Sequence, residues 1–178
     1  SAAAGTDARI FADLGPLPGD PEHFWAFKAF REIIDLFLEN GLTHFLFETL
    51  DGPAGLQQAA AYIKGLCPQA TVIASFAVSP DGFTRSGLSG RELVVELQED
   101  EALDAIGFNC VSGPHHLLQL IRTLPPLKKH LYVCPNEGYP TLEGGLARFG
   151  DNPGYFAHVL MEILDAGANI IGGCCGTT

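Results

Sequence analysis

Short apolar runs alternate with amphipathic stretches along the whole chain, and turn residues separate them. The apolar runs predict six strands, at residues 8–14, 43–49, 71–78, 103–109, 131–135 and 169–173. Runs such as 43–49 and 71–78 are apolar on both faces, which is typical of strands buried in a parallel sheet. Strict alternation of strands and helices therefore predicts a parallel α/β fold, either doubly wound or a barrel.

Five helices are predicted between these strands, at residues 21–41, 53–65, 90–97, 114–124 and 153–167. Three of them begin at capping sequences, in which a side chain or a proline satisfies the free N–H groups of the first turn. These capping sequences are Asp20-Pro21, Ser89 with Glu92, and Asn152-Pro153. A longer, glycine-bearing loop precedes the last helix.

The chain length favours one domain, spanning residues 1–178. The chain has 178 residues, of which 47% are hydrophobic, enough for one sizeable core. A closed barrel needs eight strands and typically about 250 residues. Because only six strands are predicted, we expect the chain to be a piece of a longer polypeptide, with two unpaired sheet edges through which copies could self-associate.

Charge and targeting signals exclude several classes of protein. The formal net charge of −11 argues against nucleic acid as a partner, since an acidic surface repels phosphates. No apolar run reaches the roughly 20 residues that span a bilayer, and the first residues do not resemble a signal peptide. Five cysteines, an odd number with two adjacent, fit free thiols in a reducing compartment. We therefore expect a cytoplasmic protein without a membrane partner.

The polar residues that suggest chemistry follow the predicted strands. In parallel α/β folds the carboxyl ends of strands meet at one edge, where active sites form. Side chains from distant parts of the chain are therefore expected to converge there. They are Glu48, Asn109, Cys110, Asn136, Glu137, Cys174 and Cys175.

Three cysteines at one edge of the sheet are chemically suited to zinc. Thiolates are soft ligands, and three of them leave a fourth tetrahedral position open, as catalytic zinc sites do. Gly172, Gly173 and Gly176 would let the backbone turn sharply around Cys174 and Cys175. The spacing alone is a weak signal, because the chain has no Cys-x-x-Cys pair.

Three motifs together resemble the homocysteine S-methyltransferase family. They are Gly-Phe-Asn-Cys at residues 107–110, Pro-Asn-Glu-Gly-Tyr-Pro at 135–140, and Gly-Gly-Cys-Cys-Gly-Thr-Thr at 172–178. The family includes the homocysteine-binding module of cobalamin-dependent methionine synthase and betaine–homocysteine methyltransferase. Residues 12–16 resemble its third-strand Gly-Pro segment, and residues 47–49 its fourth-strand Glu-Thr segment. The resemblance implies an α/β barrel of the (β/α)8 TIM type with about six of its eight units, lacking the N-terminal ones.

The resemblance also implies a reaction and a site. Cys110, Cys174 and Cys175 match the catalytic zinc ligands, and Glu48 matches a carboxylate that receives the amino group of homocysteine. Asn109 and Asn136 match polar residues that line the substrate site. The implied reaction is zinc-dependent transfer of a methyl group to the thiol of homocysteine, forming methionine. Homocysteine and a methyl donor are the implied partners, with cobalamin or methyltetrahydrofolate held by other domains.

Two positions depart from the family pattern. The family usually has a small residue where Glu137 stands, and often no cysteine where Cys134 stands. Glu137 would add negative charge near an anionic site, and Cys134 is a candidate extra thiol, although burial in the core is its commoner role. The family's first two strands, which also bind homocysteine, have no counterpart in the chain.

Two other functions compete with the enzyme hypothesis. The chain could be a non-catalytic or inactive zinc- or thiol-binding fragment of a larger protein. A structural metal site would have four protein ligands, which would require a further residue such as Cys134. A weaker alternative is a redox switch formed by the adjacent thiols of Cys174 and Cys175.

Overall fold

The computed structural model describes residues 7–17, 23–138, 141–144, 146–148, 150 and 152–177. Six strands form one sheet in the order β1-β2-β3-β4-β5-β8, and every neighbouring pair is parallel. The predicted parallel α/β fold is therefore confirmed. The strands are β1 (Ala12–Leu14), β2 (His44–Leu50), β3 (Thr71–Phe76), β4 (Ala105–Asn109), β5 (His130–Cys134) and β8 (Ile170–Ile171).

Five helices connect the strands of this sheet, as predicted. They are α1 (His23–Glu39), α2 (Leu56–Leu66), α3 (Gly90–Leu97), α4 (Pro114–Ile121) and α5 (Pro153–Asp165). Two predicted caps are confirmed: Ser89 accepts a hydrogen bond from the Glu92 N–H, and Asn152 accepts one from the Tyr155 N–H. The predicted cap at Asp20 and Pro21 lies outside the described residues.

Two sequence predictions about these connections were wrong. Helix α2 begins at Leu56 rather than at residue 53, because Gly55 has a φ of 72° and ends the preceding turn in a left-handed conformation. The loop before α5 contains a short antiparallel hairpin, formed by β6 (Thr141–Glu143) and β7 (Leu146–Arg148). Strands of three residues are too short to give a readable alternation in the sequence.

The two faces of the sheet have different characters. Residues in register share a face, and one face packs its apolar side chains under the helices. Phe47, for example, is fully buried and meets the Phe30 ring of α1 edge-on, with ring centroids 5.1 Å apart. The opposite, inner face carries polar residues, namely Asp13, Glu48, Ser75, Asn109 and Tyr132. The stabilising core and the candidate chemistry therefore use opposite sides of the same strands.

The edges of the sheet are β1 and β8, and among the described residues no further strand pairs with either. The expected association of copies through these edges stays a prediction. Within the described part of the chain, no helix is both long and apolar enough to cross a membrane.

Gly107, at the centre of β4, tests this packing of strands. A Cβ atom there would overlap the backbone carbonyl of Tyr132 on β5. We expect Gly107→Ala to lower the free energy of unfolding by about 3 kcal/mol, since the backbone of a central strand cannot yield cheaply. Gly65→Ala is the matched control, because a Cβ at Gly65 in α2 meets no atom within 4 Å. That change should stabilise the helix by about 0.5–1 kcal/mol. Denaturant unfolding measures both free energies of unfolding. An equal change in Gly107→Ala and Gly65→Ala would contradict this explanation.

Candidate metal centre

Three thiols converge at the carboxyl end of the sheet, from positions far apart in the sequence. The Sγ atoms of Cys110, Cys174 and Cys175 all lie within 4.8 Å of one another, and those of Cys110 and Cys175 are 3.7 Å apart. Two thiolates bound to one tetrahedral zinc at about 2.3 Å would have sulfur atoms about 3.8 Å apart. Among the described residues, these three thiols form the cluster of side chains that could hold a metal ion.

The backbone after β4 takes an unusual path to present Cys110. Cys110 and Val111 have φ angles of 56° and 55°, in the left-handed region that non-glycine residues rarely adopt. The Ser112 N–H donates to the Cys110 carbonyl at 2.6 Å, which closes a tight turn, while the Cys110 N–H continues the ladder to the Cys134 carbonyl at 3.0 Å. The turn lets the thiol project above the end of the strand.

Cys174 and Cys175 are held by the loop that follows β5. The Cys174 N–H donates to the Pro135 carbonyl at 2.9 Å, and the Cys175 N–H donates to Asn136 Oδ1 at 3.2 Å. The Thr177 hydroxyl donates to the Cys174 carbonyl at 2.7 Å. Gly173 packs directly against the Thr177 side chain, so a Cβ at this position would clash. This packing explains a glycine beside the cysteine pair.

The electrostatics of the cluster disfavour thiolates in the absence of a cation. Burial, and then the nearby Cys110 sulfur, raise the pKa of Cys174 to about 12. The hydrogen bond with the Cys110 thiol raises the pKa of Cys175 as well, with partial burial adding to it. Neighbouring thiols resist ionising together because their charges repel. A bound divalent cation reverses this preference, since coordination deprotonates a thiol.

Cys134 is buried on the inner face of β5, in register with Asn109 of β4, and lies outside the three-thiol cluster of the described residues. Burial raises the pKa of its thiol. A Cβ on Gly172 would come within 3.0 Å of its sulfur, so the thiol fills the space that this glycine leaves. The structure places Cys134 in the packing role that the sequence favoured.

Two carboxyl groups lie together on the inner face of the sheet. Glu48 on β2 lies near Asp13 on the neighbouring strand β1, close enough for each carboxyl to affect the pKa of the other. Desolvation raises the pKa of both groups, and the negative charge of Asp13 raises the pKa of Glu48 further. Two neighbouring carboxyls resist ionising together, and a nearby cation would favour their ionised forms. Burial, with a smaller contribution from the charge of Glu48, raises the pKa of Tyr132 and of Cys134.

The two asparagines predicted to line the site both have structural partners. Asn136 is 6% exposed, and its amide oxygen holds the Cys175 backbone. Asn109 is 1% exposed, and its side-chain amide is hydrogen-bonded to Thr49 of β2 and to Ser75 of β3. The sequence suggested that Glu137 would add negative charge near the site. Its carboxylate accepts a hydrogen bond from the Asn152 N–H at 3.0 Å.

Comparison with known proteins identifies the family. A family model described as homocysteine S-methyltransferase matches residues 2–178. The chain belongs to the homocysteine S-methyltransferase family. This confirms the resemblance found in the sequence motifs.

Two relatives show how much of a homocysteine S-methyltransferase the chain represents. Methionine synthase of Mycobacterium leprae is 31% identical over 182 residues, which cover 95% of this chain and 15% of that protein. Homocysteine S-methyltransferase of Escherichia coli is 28% identical over 156 residues, which cover 86% of this chain and 50% of that protein. The chain thus spans half or less of the length of these relatives.

Solved structures support the barrel-type fold. The apo form of the homocysteine methyltransferase MmuM from Escherichia coli superposes with a TM-score of 0.70 at 26% identity, covering 99% of this chain and 60% of that one. Its metallated form superposes with a TM-score of 0.71 at 23% identity. The six parallel strands with their helices therefore form an incomplete (β/α)-barrel, as predicted.

The sequence analysis missed Asp13 and Tyr132 as residues of the inner face. A signal was present for both, because Asp13 lies between buried Ala12 and Leu14, and Tyr132 between buried Leu131 and Val133. A polar residue between two apolar neighbours in a strand points to the opposite face. The strand alternation therefore places both side chains on the inner face of the sheet.

The carboxyl pair should make stability depend on pH. Because the folded-state pKa of both carboxyls is raised, ionising them costs folding free energy above those pKa values, and the cost disappears as the pH falls. We expect Asp13→Asn to raise the melting temperature at about pH 7.5 and to have little effect at about pH 4.

Glu32→Gln, on the exposed face of α1, removes the same charge without touching the pair and serves as the control. If thermal unfolding showed equal gains in melting temperature for both variants at every pH, the Asp13–Glu48 pair would cost no more folding free energy than an exposed carboxylate on α1.

Proposed function

We propose that this chain binds one zinc ion through the thiolates of Cys110, Cys174 and Cys175 and activates the thiol of homocysteine for methylation. The cluster of three thiols within 4.8 Å carries this proposal. Its sulfur donors match the preference of zinc, and the observed separation of 3.7 Å between two of them matches tetrahedral coordination. MmuM from Escherichia coli is known in both apo and metallated forms, which supports a metal in this family.

The chain's own residues would supply the geometry of the reaction. Cys110 on one side and Cys174 with Cys175 on the other would hold the zinc ion with three sulfur ligands, which would leave a fourth ligand position for the substrate thiol. Zinc, when bound, supplies a positive charge that lowers the pKa of an incoming thiol and makes it a nucleophile at neutral pH. Asn136 fixes the Cys175 backbone and thereby the position of its thiol.

Glu48 would bind the other end of the substrate. Homocysteine carries an ammonium group, and this cation would stabilise the ionised forms of the neighbouring Asp13 and Glu48 carboxyls, whose pKa values are raised. The substrate would then lie along the inner face, with its amino group at Glu48 and its sulfur at the cysteines. Two fixed ends hold the thiol in the orientation that methyl transfer requires.

The acceptor half of the reaction is what the proposal assigns to this chain. The homocysteine sulfur forms a bond to the methyl carbon as the bond between that carbon and the donor breaks, and the thiol proton leaves to solvent. Cobalamin or methyltetrahydrofolate would come from other domains, as the likeness to methionine synthase suggests. All five cysteines are free thiols, which fits the proposed cytoplasmic location.

Single Cys→Ser variants test the metal ligands. We expect wild-type chain to bind one zinc per chain, and each of Cys110→Ser, Cys174→Ser and Cys175→Ser to lose most of the affinity, because two thiolates form a poor zinc site. Cys134→Ser is the matched control and should keep the zinc. Metal analysis after equilibration with a chelator measures this, with homocysteine methylation as the second readout. The proposal is wrong if Cys174→Ser and Cys175→Ser retain full zinc and full methylation.

Zinc affinity should fall as the pH is lowered. The pKa values of Cys174 and Cys175 are raised, so both thiols are protonated at neutral pH before the metal binds. Binding must displace these protons, and affinity should therefore fall about tenfold per pH unit for each proton released. Competition titrations at several pH values measure the slope, and a pH-independent affinity would mean that the thiols are not the ligands.

A further inference from the structure

The side chain of Asn109 joins the ends of three strands. Its Oδ1 accepts hydrogen bonds from the Thr49 N–H at 2.8 Å and from the Ser75 hydroxyl at 2.7 Å. Its Nδ2 donates to the Thr49 hydroxyl at 2.9 Å. Asn109 is the last residue of β4, Thr49 lies near the end of β2, and Ser75 near the end of β3. We refer to Thr49, Ser75 and Asn109 together as the strand-end clamp.

The strand-end clamp coincides with the strained backbone of the site. Thr49 has a φ of 57°, and the two residues after Asn109, Cys110 and Val111, have φ angles of 56° and 55°. Thr49 and Val111 are β-branched, for which this conformation is especially unfavourable. Such a conformation is energetically unfavourable and persists only where surrounding contacts impose it. Asn109 supplies such contacts, because its side-chain amide is hydrogen-bonded to both the N–H and the hydroxyl of Thr49. Asn109 also directly precedes Cys110 in the chain.

We propose that Asn109 is a positioning residue that holds the Cys110 thiol at its working distance from Cys174 and Cys175, and that its amide does not contact substrate. This inference rests on the proposed zinc site. It departs from the substrate-lining role that the family resemblance implied for Asn109. Both acceptor positions of its amide oxygen are occupied within the clamp, and 1% exposure leaves no surface for a ligand.

The route from the clamp to the thiol is short. Cys110 follows Asn109 directly, and its φ angle sets the direction in which its Sγ projects from the end of β4. Without the clamp, Thr49 and Cys110 could relax toward ordinary backbone angles, which would turn the Cys110 thiol away. Zinc sites tolerate deviations in ligand distance of only about 0.2 Å. Residues that orient metal ligands typically change affinity roughly ten- to a hundredfold when removed.

The test is zinc affinity of clamp variants, measured by competition with a chromophoric chelator. We expect Asn109→Ala to bind zinc roughly ten- to a hundredfold more weakly than wild type. Thr49→Val keeps the side-chain shape but removes the hydroxyl, so it should weaken binding less and is the informative variant if Asn109→Ala does not fold. Thr49→Ser keeps the hydroxyl and should bind zinc as the wild type does.

Asp104→Asn is the matched control. Asp104 ties the opposite, amino end of the same strands, since its carboxylate accepts from the Val72 N–H at 2.7 Å and from Lys64 Nζ at 2.8 Å. Its loss should lower the melting temperature while leaving zinc affinity unchanged. If Asp104→Asn weakened zinc binding as much as Asn109→Ala, the effect would be general loss of structure, and the positioning role would be overturned.

Homocysteine binding separates positioning from substrate contact. With zinc saturating, we expect Asn109→Ala to keep the wild-type KM for homocysteine. A raised KM with unchanged zinc affinity would overturn the inference and return Asn109 to the substrate site.

A metal-free measurement separates this inference from the proposed function. Diamide removes two electrons and two protons from a pair of thiols and joins them as a disulfide, and mass spectrometry gives the yield of the Cys110–Cys175 bond. In the wild type the sulfur atoms of Cys110 and Cys175 lie only 3.7 Å apart. We expect a lower yield of this disulfide in Asn109→Ala, because loss of the strand-end clamp would let the Cys110 thiol turn away. If wild type bound no zinc but this difference remained, the proposed function would fail and the positioning role would stand. Equal disulfide yields in both proteins would overturn the positioning role.

Discussion

Parallel pairing of β4 with β5, and of β5 with β8, is the constraint on which the rest of the site depends. Cys110 and Cys175 are 65 residues apart in the sequence. The backbone hydrogen bonds of the sheet continue past the ends of β4 and β8, and they hold both cysteine segments against the end of β5 and the loop that follows it. The Cys110 N–H bonds the Cys134 carbonyl, and the Cys174 N–H bonds the adjacent Pro135 carbonyl. A slip of one residue would send every inner side chain to the opposite face. The register thus decides whether the thiols meet at all.

The same strands divide stability from function. Their outer face buries aromatic and aliphatic side chains under the helices, and this burial drives folding. The inner face carries a carboxyl pair and three neighbouring thiols, and the pKa of both carboxyls and of Cys174 and Cys175 is raised because ionisation there is unfavourable. At neutral pH the thiols are protonated and uncharged, whereas ionising the two carboxyls costs folding free energy.

The repeating features of the fold could be predicted from the sequence, because they follow from periodicity and local capping. The order of the six sheet strands and five helices and the caps at Ser89 and Asn152 were predicted correctly, whereas the β6–β7 hairpin was not. The start of α2 was not, since a left-handed Gly55 cannot be read from residue type alone. The clamp was also beyond prediction, because Asn109 contacts Thr49, which lies 60 positions earlier in the chain. The cysteines of the candidate site were found through their motifs, whereas Asp13 required attention to a single polar residue between buried neighbours.

The central claim is that three cysteine thiolates hold zinc and leave one position for the substrate sulfur. X-ray absorption at the zinc edge, on zinc-loaded chain with and without homocysteine, tests it most directly. The account predicts three sulfur atoms at about 2.3 Å with one lighter ligand, changing to four sulfur atoms when homocysteine is added. Four sulfur atoms before homocysteine is added would indicate a closed structural site that recruits Cys134, and would contradict the account.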